Sequence, residues 1–571
     1  MSISYCIGDM IVTEAMHLVQ PLFELALGRH QKGRLREAAS AYTRILSIMP
    51  SHAASHHMMS VIARQAGQND LALTALRKAI AAAPRDLQYR HDLLDLLHRL
   101  GHTEQQASCL REMCLLWPDH AELHARRGTA LREAGQDNEV VECLRTALAL
   151  APVDADAQCQ LGLSLLALGN AGEAAACFAE TIRLRPDFAA AHNNLGLALL
   201  RLGRFIAAEH SLRESLRLAP DRHVTYVNLG NVLRTLGRID AAEACLRTAL
   251  RLQPDYPEAH YSLGSLLMVT GRLAEGWPEM EWRTGCFPQR EVPGSAWNGE
   301  LLDGRVLLLH ADQGFGDAIQ FCRYVPALAS RENVVLEVPK WLTRLMASLD
   351  GAKTIIARDA ELPDYSAQCP LIRLPLIAGT TLETIPASVP YLHAEPAAVD
   401  AWRQRLAPLT GLRVGLAWAG NPAYPDDHRR SVTLHDLAPL ASIPGVVLVS
   451  LQKIVPASDE GRPPPPGMTI YDWTPELQDF ADTAALIAAL DMVIAVDTAV
   501  AHLAGALGKP VWLLNRYDTD WRWLLNRDDS PWYPTMRQFR QTQPDGWDAP
   551  VQAMRDALSR LAAPYPSSCN E

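Results

Sequence analysis

Several features that mark specialised protein classes are missing from this sequence. Its eleven cysteines are scattered without a C-x-x-C pair, which argues against a disulfide framework or a zinc site and favours a reducing, cytoplasmic setting. The 64 acidic residues outnumber the 53 basic ones, giving a formal charge of −11, so the basic footprint of a nucleic-acid-binding protein is absent. Since no basic stretch followed by an apolar run opens the chain, we expect no secretory signal.

Long uninterrupted hydrophobic runs are also missing. The most apolar segment, residues 483–508, contains Asp491, Asp497 and His502, and this favours a buried helix–strand–helix unit over a membrane span. A chain of 571 residues exceeds what one hydrophobic core supports, so we expect two or three domains.

A regular repeat is the most prominent feature that is present. Apolar residues at helical spacing flank each repeat's glycine, so every period predicts two amphipathic helices with the glycine at the turn and the proline after the second helix. This 34-residue helix–turn–helix period is typical of tetratricopeptide repeats, which bind other proteins. We predict an α-solenoid of about seven to eight repeats over residues 19–284, after an N-terminal extension at 1–18. The glycines are Gly33, Gly67, Gly101, Gly135, Gly169, Gly203, Gly237 and Gly271, and a proline follows each of the first seven 17 residues later, from Pro50 to Pro254.

A second glycine falls inside the first helix of five repeats. Glycine in a helix interior costs about 1 kcal/mol relative to alanine, so close approach of the paired helices is the better explanation for its presence. The five are Gly128, Gly162, Gly196, Gly230 and Gly264.

Polar residues two positions before this inner glycine resemble those of O-linked N-acetylglucosamine transferases, whose repeats place asparagines along the groove. HNNLG (192–196) and YVNLGNVL (226–233) give Asn194 and Asn228, and Gln160 and Ser262 stand in register. A groove amide can hold an extended peptide backbone with its donor and acceptor. The alternative is an ordinary solvated position on a helix face.

The second half of the chain has a different pattern. After a linker at 285–304, short apolar runs alternate with helical patterns, which predicts parallel sheets covered on both faces. A break near 391–412 gives two Rossmann-like halves, 305–395 and 411–548, followed by a C-terminal helix and tail at 549–571. Ligands then bind at the carboxyl ends of the strands. The predicted strands are 305–311, 333–339, 354–359, 413–420, 446–452, 492–498 and 510–515, and the predicted helices 315–330, 340–349, 433–442, 479–490 and 499–508.

Two turns carry the candidate chemistry. In the first, Gly314 and Gly316 open a helix whose first turn holds Asp317; this carboxylate could take a proton from a hydroxyl, or only cap the helix. In the second, Asp497 and Thr498 end a strand, and the helix that follows offers free N–H groups to a phosphate.

Two further residues near these turns have competing roles. His502 lies one turn into the second helix, where a satisfied core histidine is the alternative to a ligand-binding one. Lys453 follows a strand and could meet phosphate charge on a departing nucleotide, although a lysine at a strand end is usually a surface residue.

Together these segments resemble the glycosyltransferase module that bacteria append to tetratricopeptide arrays, as in flagellin glycosyltransferases. The module is similar to the heptosyltransferases, which have the GT-B fold. The resemblance rests on GFGDAIQF, WAGNPAYPDDHRRS (418–431), VSLQK (449–453), the block 480–512 with its DT-x-x-x-H motif, and the tail 520–541.

The resemblance implies roles for particular residues. Asp317 corresponds to the proposed catalytic base, and the DT-x-x-x-H loop to a donor-binding loop formed by Asp497, Thr498 and His502. The first half, 305–395, is shorter than in heptosyltransferases, a departure that affects the acceptor site. The matching segments add four donor-binding candidates: Asn421, Arg430, Gln452 and Lys453.

Two groups in the tail have alternative readings. Trp521, Trp523 and Trp532 could stack on a base or sugar, or simply pin a terminal helix near the end of the domain. The triplet Asp518–Thr519–Asp520 is similar to the metal-binding motif of GT-A enzymes, but GT-B enzymes generally need no metal. We therefore expect no metal and no cofactor apart from a nucleotide-sugar co-substrate.

The expected function is transfer of a sugar from this donor to a serine or threonine of a protein held by the array. The flagellin enzymes suggest flagellin as acceptor and a CMP-activated nonulosonic acid as donor, with UDP- or ADP-sugars as other candidates. Two alternatives stay open: a saccharide acceptor, as in true heptosyltransferases, or a catalytically silent scaffold. We expect a cytoplasmic protein without a nucleic-acid partner.

Overall fold

The computed structural model describes residues 3–563 apart from 289, 353, 425–426, 442, 457 and 545, with side chains from residue 17 onward. The predicted C-terminal tail after residue 563 therefore lies outside the described residues. The chain divides into two compact units, Met1–Pro220 and Asp221–Glu571.

The N-terminal unit consists of paired helices in the predicted 34-residue register. Turn glycines separate the helices of each pair with positive φ, from +70° at Gly203 to +84° at Gly169, a conformation that side-chain-bearing residues rarely adopt. One continuous helix covers the predicted N-terminal extension from residue 3 onward and the start of the first repeat. The helices are α1 (Ile3–Gln31), α2 (Leu35–Ile48), α3 (Ala53–Gln65), α4 (Asn69–Ala82), α5 (Leu87–Arg99), α6 (Thr103–Leu116), α7 (Ala121–Glu133), α8 (Asp137–Leu150), α9 (Ala155–Ala167), α10 (Ala171–Leu184), α11 (Ala189–Arg201) and α12 (Phe205–Leu218).

The inner glycines hold the paired helices close together. A Cβ atom at Gly196 would lie 2.6 Å from Cγ of Leu212, and one at Gly162 would lie 2.7 Å from the ring of Phe178. Leu212 and Phe178 are fully buried, so neither can move aside without opening the core. The explanation by close approach is thereby confirmed.

A repeated contact that the sequence analysis missed joins neighbouring repeats. Nε2 of His56, His124 and His192 bonds to the carbonyl oxygen of the proline six residues earlier, at 2.8 to 3.0 Å. These prolines follow the ends of helices, where carbonyl groups lack intrahelical partners. A polar side chain at the fourth position of the next helix thus satisfies one of them.

The C-terminal unit begins with the last repeats and continues into two sheets. All strand pairs are parallel, in the orders β3-β2-β1-β4 and β10-β9-β8-β5-β6-β7. The strands are β1 (Val306–His310), β2 (Asn333–Val338), β3 (Thr354–Ala357), β4 (Ala367–Pro370), β5 (Leu412–Ala417), β6 (Val446–Ser450), β7 (Ile470–Tyr471), β8 (Met492–Val496), β9 (Val511–Asn515) and β10 (Met536–Arg540). The helices are α13 (His223–Thr235), α14 (Ile239–Leu252), α15 (Pro257–Val269), α16 (Leu273–Met280), α17 (Arg283–Cys286), α18 (Phe315–Phe321), α19 (Val325–Ala329), α20 (Thr343–Met346), α21 (Leu374–Ile377), α22 (Pro396–Leu406), α23 (Phe480–Ala489), α24 (Ala499–Ala506) and α25 (Asp548–Ala562).

All seven predicted strands form, and three others, β4, β7 and β10, were not predicted. The helix predicted at 433–442 is wrong: residues 434–441 form turns and one short 3₁₀ helix, Ala438–Leu440. Pro439 interrupts helical hydrogen bonding, and the carboxylate of Asp436 accepts from the backbone N–H of Thr433 at 2.7 Å, which closes a turn instead. Conversely, the break predicted near 391–412 contains α22, whose Pro396 occupies the first helical position, where proline is favoured.

The last repeat shares one core with the sheets. Val269, Leu273, Trp277 and Met280 belong to the same buried cluster as residues of β1 and of the tail. The indole N–H of Trp277 donates to the carbonyl oxygen of Thr380 at 3.0 Å. This end of the repeat array is therefore an integral part of the second module.

The predicted linker, 285–304, is docked on the first sheet. Its Trp297 is 3% exposed, and the backbone N–H of Trp297 donates to the carbonyl oxygen of Gln368 in β4 at 2.8 Å. The segment therefore extends the edge of this sheet.

Candidate functional site

The glycine-containing turn before α18 and the turn that follows β8 face each other. Helix α18, which follows β1, packs against α24, which follows β8. A Cβ atom at Gly316 would lie only 2.9 Å from Cδ2 of His502. The absence of a side chain at Gly316 therefore allows the carboxyl ends of the two sheets to meet.

Asp317 lies at this junction and has two partners. One carboxylate oxygen, Oδ2, accepts from the backbone N–H of Gly314 at 3.2 Å, as a helix-capping residue does. The other, Oδ1, forms a close ion pair with Arg522. The carboxylate of Asp317 therefore caps α18 and also pairs with Arg522.

Arg522 is a site residue that the sequence analysis did not single out. Its guanidinium pairs with Asp317 and Asp520, the latter at 2.9 Å, and its Nε donates to Oε1 of Gln320 at 2.6 Å. It belongs to the tail segment but contacts α18 of the first half, so it joins the two halves. The separation of 205 residues between Arg522 and Asp317 hides this pairing from local patterns.

The surroundings of the site shift the pKa values of its carboxyl groups in opposite directions. Burial raises the pKa of Asp317, against the opposing charge of Arg522. Burial is the largest single effect on Asp520 as well, but the charge and hydrogen bonds of Arg522, together with the charge of Arg516, lower the pKa of Asp520. Divergent pKa values in neighbouring groups are typical of acid–base pairs in active sites.

The second turn contributes Asp497 and Thr498. Burial, followed by the negative charge of Asp520, raises the pKa of Asp497, while Arg522 and Arg430 lower it. Thr498 is the N-cap residue of α24, and its buried hydroxyl oxygen has no hydrogen-bond partner. A hydroxyl left unsatisfied at a helix N-terminus is available to a ligand oxygen.

His502 is buried behind this turn. Its Nδ1 bonds to the hydroxyl of Tyr533 at 2.9 Å, and its ring stacks on Trp523 with 5.2 Å between centroids. Burial, and then the charge of Arg522, lowers the pKa of His502 to about 3, so the ring is neutral at physiological pH. These contacts are those of a satisfied core histidine that supports the turn.

The comparisons with known proteins address this region directly. Residues 468–542, which contain β8, α24 and Arg522, match the model of glycosyltransferase family 9 (heptosyltransferase). Residues 159–223 and 230–271 match tetratricopeptide repeat models. The chain joins tetratricopeptide repeats to a heptosyltransferase-like module.

A bacterial relative shares much of this chain. Protein FlbA of Caulobacter vibrioides is 29% identical over 327 residues, which are 51% of this chain and 53% of FlbA. The chain thus spans about half the length of this relative.

Solved tetratricopeptide structures are similar to part of the chain. The MamA protein is 24% identical, with a TM-score of 0.29, covering 30% of this chain and 95% of MamA. YrrB, described as a TPR protein with an unusual peptide-binding site, is 19% identical, with a TM-score of 0.30, covering 33% of this chain and 97% of YrrB.

The side chains of two predicted donor-binding residues form hydrogen bonds to the main chain of the heptosyltransferase-like module itself. The amide of Gln452 accepts from the backbone N–H groups of Trp418 and Ala419 and donates to two carbonyl oxygens. The ammonium of Lys453 donates to the carbonyl oxygens of Thr474 and Leu477. Both side chains stabilise loops at the carboxyl edge of the sheet. Their donor-binding role stays a prediction.

The other two candidates lie in the loop after β5. The guanidinium of Arg430 pairs with Asp427 at 2.9 Å and lies over the ring of Tyr424. Oδ1 of Asn421 accepts from the backbone N–H of Ala423 at 3.0 Å, which closes a turn. Of the two, Arg430 contributes charge toward Asp497.

The tryptophans of the tail are core residues. Trp521, Trp523 and Trp532 are 5%, 0% and 1% exposed. Trp521 and Trp532 pack on each other and on Phe321, and Trp523 packs on His502 and Tyr533. Stacking on a ligand base is therefore wrong for these side chains. They belong to the core that the last repeat shares with the sheets, whereas the terminal helix α25 packs in a separate cluster.

The carboxylates of the Asp518–Thr519–Asp520 triplet are paired with arginines. Asp518 forms ion pairs with Arg429 and Arg516, and Asp520 with Arg522. Within the described ranges, no group of three histidine, cysteine, aspartate or glutamate side chains is placed to hold a metal ion. The same ranges contain no helix long and apolar enough to cross a membrane.

The groove candidates have different surroundings. In the N-terminal unit, Oε1 of Gln160 accepts from the hydroxyl of Thr129 at 2.8 Å, and Oδ1 of Asn194 accepts from the amide of Asn193 at 3.1 Å. In the C-terminal unit, Asn228 is half-buried and Ser262 is buried. Their predicted contact with a bound peptide stays a prediction.

Proposed function

We propose that this protein is a glycosyltransferase that moves a sugar from a nucleotide-sugar donor to a serine or threonine of a protein acceptor. The observation that carries the proposal is the carboxylate of Asp317, paired with Arg522 at the junction of two parallel-sheet halves. The match of residues 468–542 to a glycosyltransferase family supports the reaction class. The tetratricopeptide repeats support a protein acceptor, since such arrays bind peptides.

In the proposed reaction, the acceptor hydroxyl attacks the anomeric carbon of the donor sugar. A new C–O bond forms while the bond from that carbon to the phosphate oxygen breaks, and the phosphate leaves with the electron pair. The hydroxyl proton passes to Asp317. Its raised pKa makes this carboxylate a better proton acceptor than an ordinary aspartate.

The leaving phosphate needs compensating positive charge. Arg522, Arg430 and the N-terminus of α24 with the hydroxyl of Thr498 are the groups proposed for this purpose. No metal ion is included in the proposed step.

The finer details extend the same proposal. We propose flagellin as the acceptor and a CMP-activated nonulosonic acid as the donor, with UDP- and ADP-sugars as the other donors to test. The reaction is proposed to take place in the cytoplasm. These details derive from the resemblance to flagellin glycosyltransferases.

Intact-mass analysis of a co-expressed flagellin tests the proposal. With a host that makes CMP-nonulosonic acid, the full chain is expected to add whole sugar residues to serine or threonine. Asp317→Asn, which keeps the side-chain size, is expected to lower the rate by about 100-fold or more. Asp364→Asn, at an exposed aspartate of the same half, is the matched control and should leave the rate unchanged.

Three results would contradict parts of the proposal. Unmodified flagellin in the presence of donor and intact enzyme would exclude this acceptor and donor. Transfer to a saccharide but to no protein would favour a heptosyltransferase-like activity, with the array only localising the enzyme. Full activity of Asp317→Asn would remove Asp317 from the base role.

A further inference from the structure

The repeat array ends in a short helix, α17, which is fixed to the last repeat. The residue before it, Trp282, stacks on His260 of α15, with 4.1 Å between ring centroids and 6° between ring planes. A Cβ atom at Gly285 would lie 2.7 Å from Cγ of Pro257, so α17 lies directly against the start of α15. Side chains of α17 therefore have a defined position relative to the last repeat.

Arg283 is the first residue of α17, and only 4% of its side chain is exposed. Its guanidinium lies between two carboxylates: Nη1 is 3.1 Å from Oε1 of Glu281, and Nη2 is 3.5 Å from Oδ2 of Asp312. Glu281 also pairs with Arg373, whose Nε is 2.7 Å from Oε2. Two arginines and two acidic residues thus alternate in one network, and their charges balance.

Asp312 belongs to the turn between β1 and α18, which leads to Asp317. Two residues further on, the backbone N–H of Gly314 donates to Oδ2 of Asp317 at 3.2 Å, so the end of the turn is bonded to that carboxylate. Within the described ranges, Arg283 is the only ion-pair partner of Asp312, whose side chain is 7% exposed. A carboxylate buried to this degree needs a fixed counter-charge. The position of Arg283 therefore determines where the middle of the turn lies.

We propose that Arg283 is a positioning residue for glycosyl transfer: it fixes Asp312 and so holds the β1–α18 turn in the path that presents Asp317 to the acceptor hydroxyl. The role rests on the proposed function, in which Asp317 accepts the hydroxyl proton. A displacement of about 1 Å in a reacting group can lower a rate by about 100-fold. The end of the repeat array is then a support of the catalytic turn in addition to its part in acceptor binding.

The same contact affects the charge of the proposed base. The titratable and charged groups around Asp317 come from the tail, from its own turn and from α24, where one lies beside Gly316: Arg522, Asp520, Asp312 and His502. Burial raises the pKa of Asp317 most; Arg522 opposes this effect, and the carboxylates of Asp520 and Asp312 add to it. The ring of His502 is neutral.

Loss of Arg283 would leave the charge of Asp312 uncompensated. Burial lowers the pKa of His310, two residues before Asp312, which keeps that ring from replacing Arg283 as a counter-charge. An uncompensated negative charge near Asp317 raises the pKa of Asp317 further.

The pH dependence of transfer to flagellin, measured with the full chain and CMP-nonulosonic acid as donor, tests this role. Arg283→Gln removes the charge, and Arg283→Lys retains it. Arg331→Gln, at an exposed arginine of the same half, is the matched control. Thermal melting by circular dichroism accompanies each variant and reports any loss of fold.

Arg283→Gln is expected to lower kcat by about 10- to 100-fold and to leave the KM of the donor unchanged, because Arg283 is not proposed to touch the donor. The acidic limb of kcat/KM, which reports the base of the free enzyme, should move upward by about 0.5–1 pH unit. Arg283→Lys should restore this limb and part of the rate, since lysine keeps the charge without the paired donors. Arg331→Gln should behave as the wild type.

A double variant distinguishes action through Asp312 from an independent effect. Asp312→Asn removes a negative charge near Asp317, so it should move the acidic limb downward. If Arg283 acts through Asp312, adding Arg283→Gln to Asp312→Asn should change kcat by less than about 2-fold. If Arg283→Gln does not fold, Asp312→Asn keeps the test open, because an unmoved limb in that variant would also count against the role.

Two results would overturn the positioning role while flagellin is modified by the wild type. The first is an unchanged kcat and acidic limb in Arg283→Gln, and the second is a set of effects that multiply fully in the double variant. Failure of the proposed function is read separately, from unmodified flagellin with the wild type. Hydrogen–deuterium exchange of peptides covering 311–319 then still examines the turn: faster exchange in Arg283→Gln than in Arg331→Gln supports its support by Arg283, and equal exchange contradicts it.

Discussion

His502 has a neutral imidazole, buried in the second sheet-containing half, 411–548. Burial lowers its pKa from 6.5 to about 3. Between these two pH values, His502 is therefore protonated in the unfolded chain and neutral in the folded chain. The contribution of His502 to stability is therefore fully present above pH 6.5 and is lost as the pH falls toward 3. Between pH 7 and pH 5 this loss amounts to about 2 kcal/mol.

Replacing the histidine should remove that pH dependence. In His502→Gln, the difference in unfolding free energy between pH 7 and pH 5 is expected to be about 2 kcal/mol smaller than in the wild type. Urea unfolding followed by tryptophan fluorescence measures it, because every tryptophan except Trp117 lies in the C-terminal unit. His435→Gln, at an exposed histidine of the same half, is the control; an unchanged pH dependence in His502→Gln would contradict the neutral ring.

Residue-scale prediction from the sequence relied on local motifs. Asp317 follows a glycine-rich turn and His502 follows a strand end, and both were recognised from these surroundings. Arg522 has no such marker, because its partners Gln320 and Asp317 are distant in sequence and adjacent only in the fold. The tryptophans were ambiguous for a related reason: composition reveals a large aromatic surface but not whether it faces the core or a ligand.

At the scale of elements, the approach of α18 to α24 depends on Gly316. A methyl group there would lie 2.9 Å from the His502 ring, which is held by Trp523 and Tyr533 and cannot swing away. Gly316→Ala is therefore expected to lower stability by about 1–3 kcal/mol and to reduce transfer to the acceptor. Gly314→Ala is the matched control, since its Cβ would lie 3.5 Å from the nearest atom, Oδ2 of Asp317; equal effects of the two changes would argue against helix contact as the reason for Gly316.

Helix pairing in the repeats gives a second element-scale prediction. Gly196→Ala would place a methyl group 2.6 Å from Cγ of Leu212, whereas Gly172→Ala on α10 would meet nothing within 4 Å. Gly196→Ala should destabilise the N-terminal unit by about 1–3 kcal/mol, and Gly172→Ala should stabilise it by up to about 1 kcal/mol. Circular dichroism during thermal unfolding distinguishes them, and a stabilising Gly196→Ala would contradict the close helix packing.

The elements that the sequence did not predict are short or carry conflicting signals. β4 has four residues and ends at Pro370, and β7 has two, so neither gives a clear alternation of apolar and polar residues. The stretch 433–442 has helical composition but contains a proline and a competing side-chain turn. By contrast, the repeat helices were predictable because the same turn and packing requirements recur every 34 residues.

At the scale of the whole molecule, the boundary between repeats and sheets is where sequence and structure differ most. Composition places it in the glycine- and proline-rich stretch 285–304, but the compact unit begins at residue 221. Loss of the 34-residue register marks where the repeats end; it does not reveal which repeats share a core with the next module. Trp277 and Val269 show this sharing: the Trp277 ring lies 5.4 Å from that of Trp521, and the carbonyl oxygen of Val269 accepts from the N–H of Leu525.

Two truncations test where the folding boundary lies. A chain of residues 221–571 keeps the complete C-terminal unit and should give a cooperative thermal transition and bind nucleotide, while losing modification of a protein acceptor. A chain of residues 285–571 lacks Val269, Leu273, Trp277 and Met280 from the core; since removing one large buried side chain costs about 3–5 kcal/mol, it should be insoluble or lack a cooperative transition. Near-ultraviolet circular dichroism and gel filtration provide the comparison. If residues 285–571 melt at the same temperature as residues 221–571, the last repeats only adjoin the module and contribute nothing to its core.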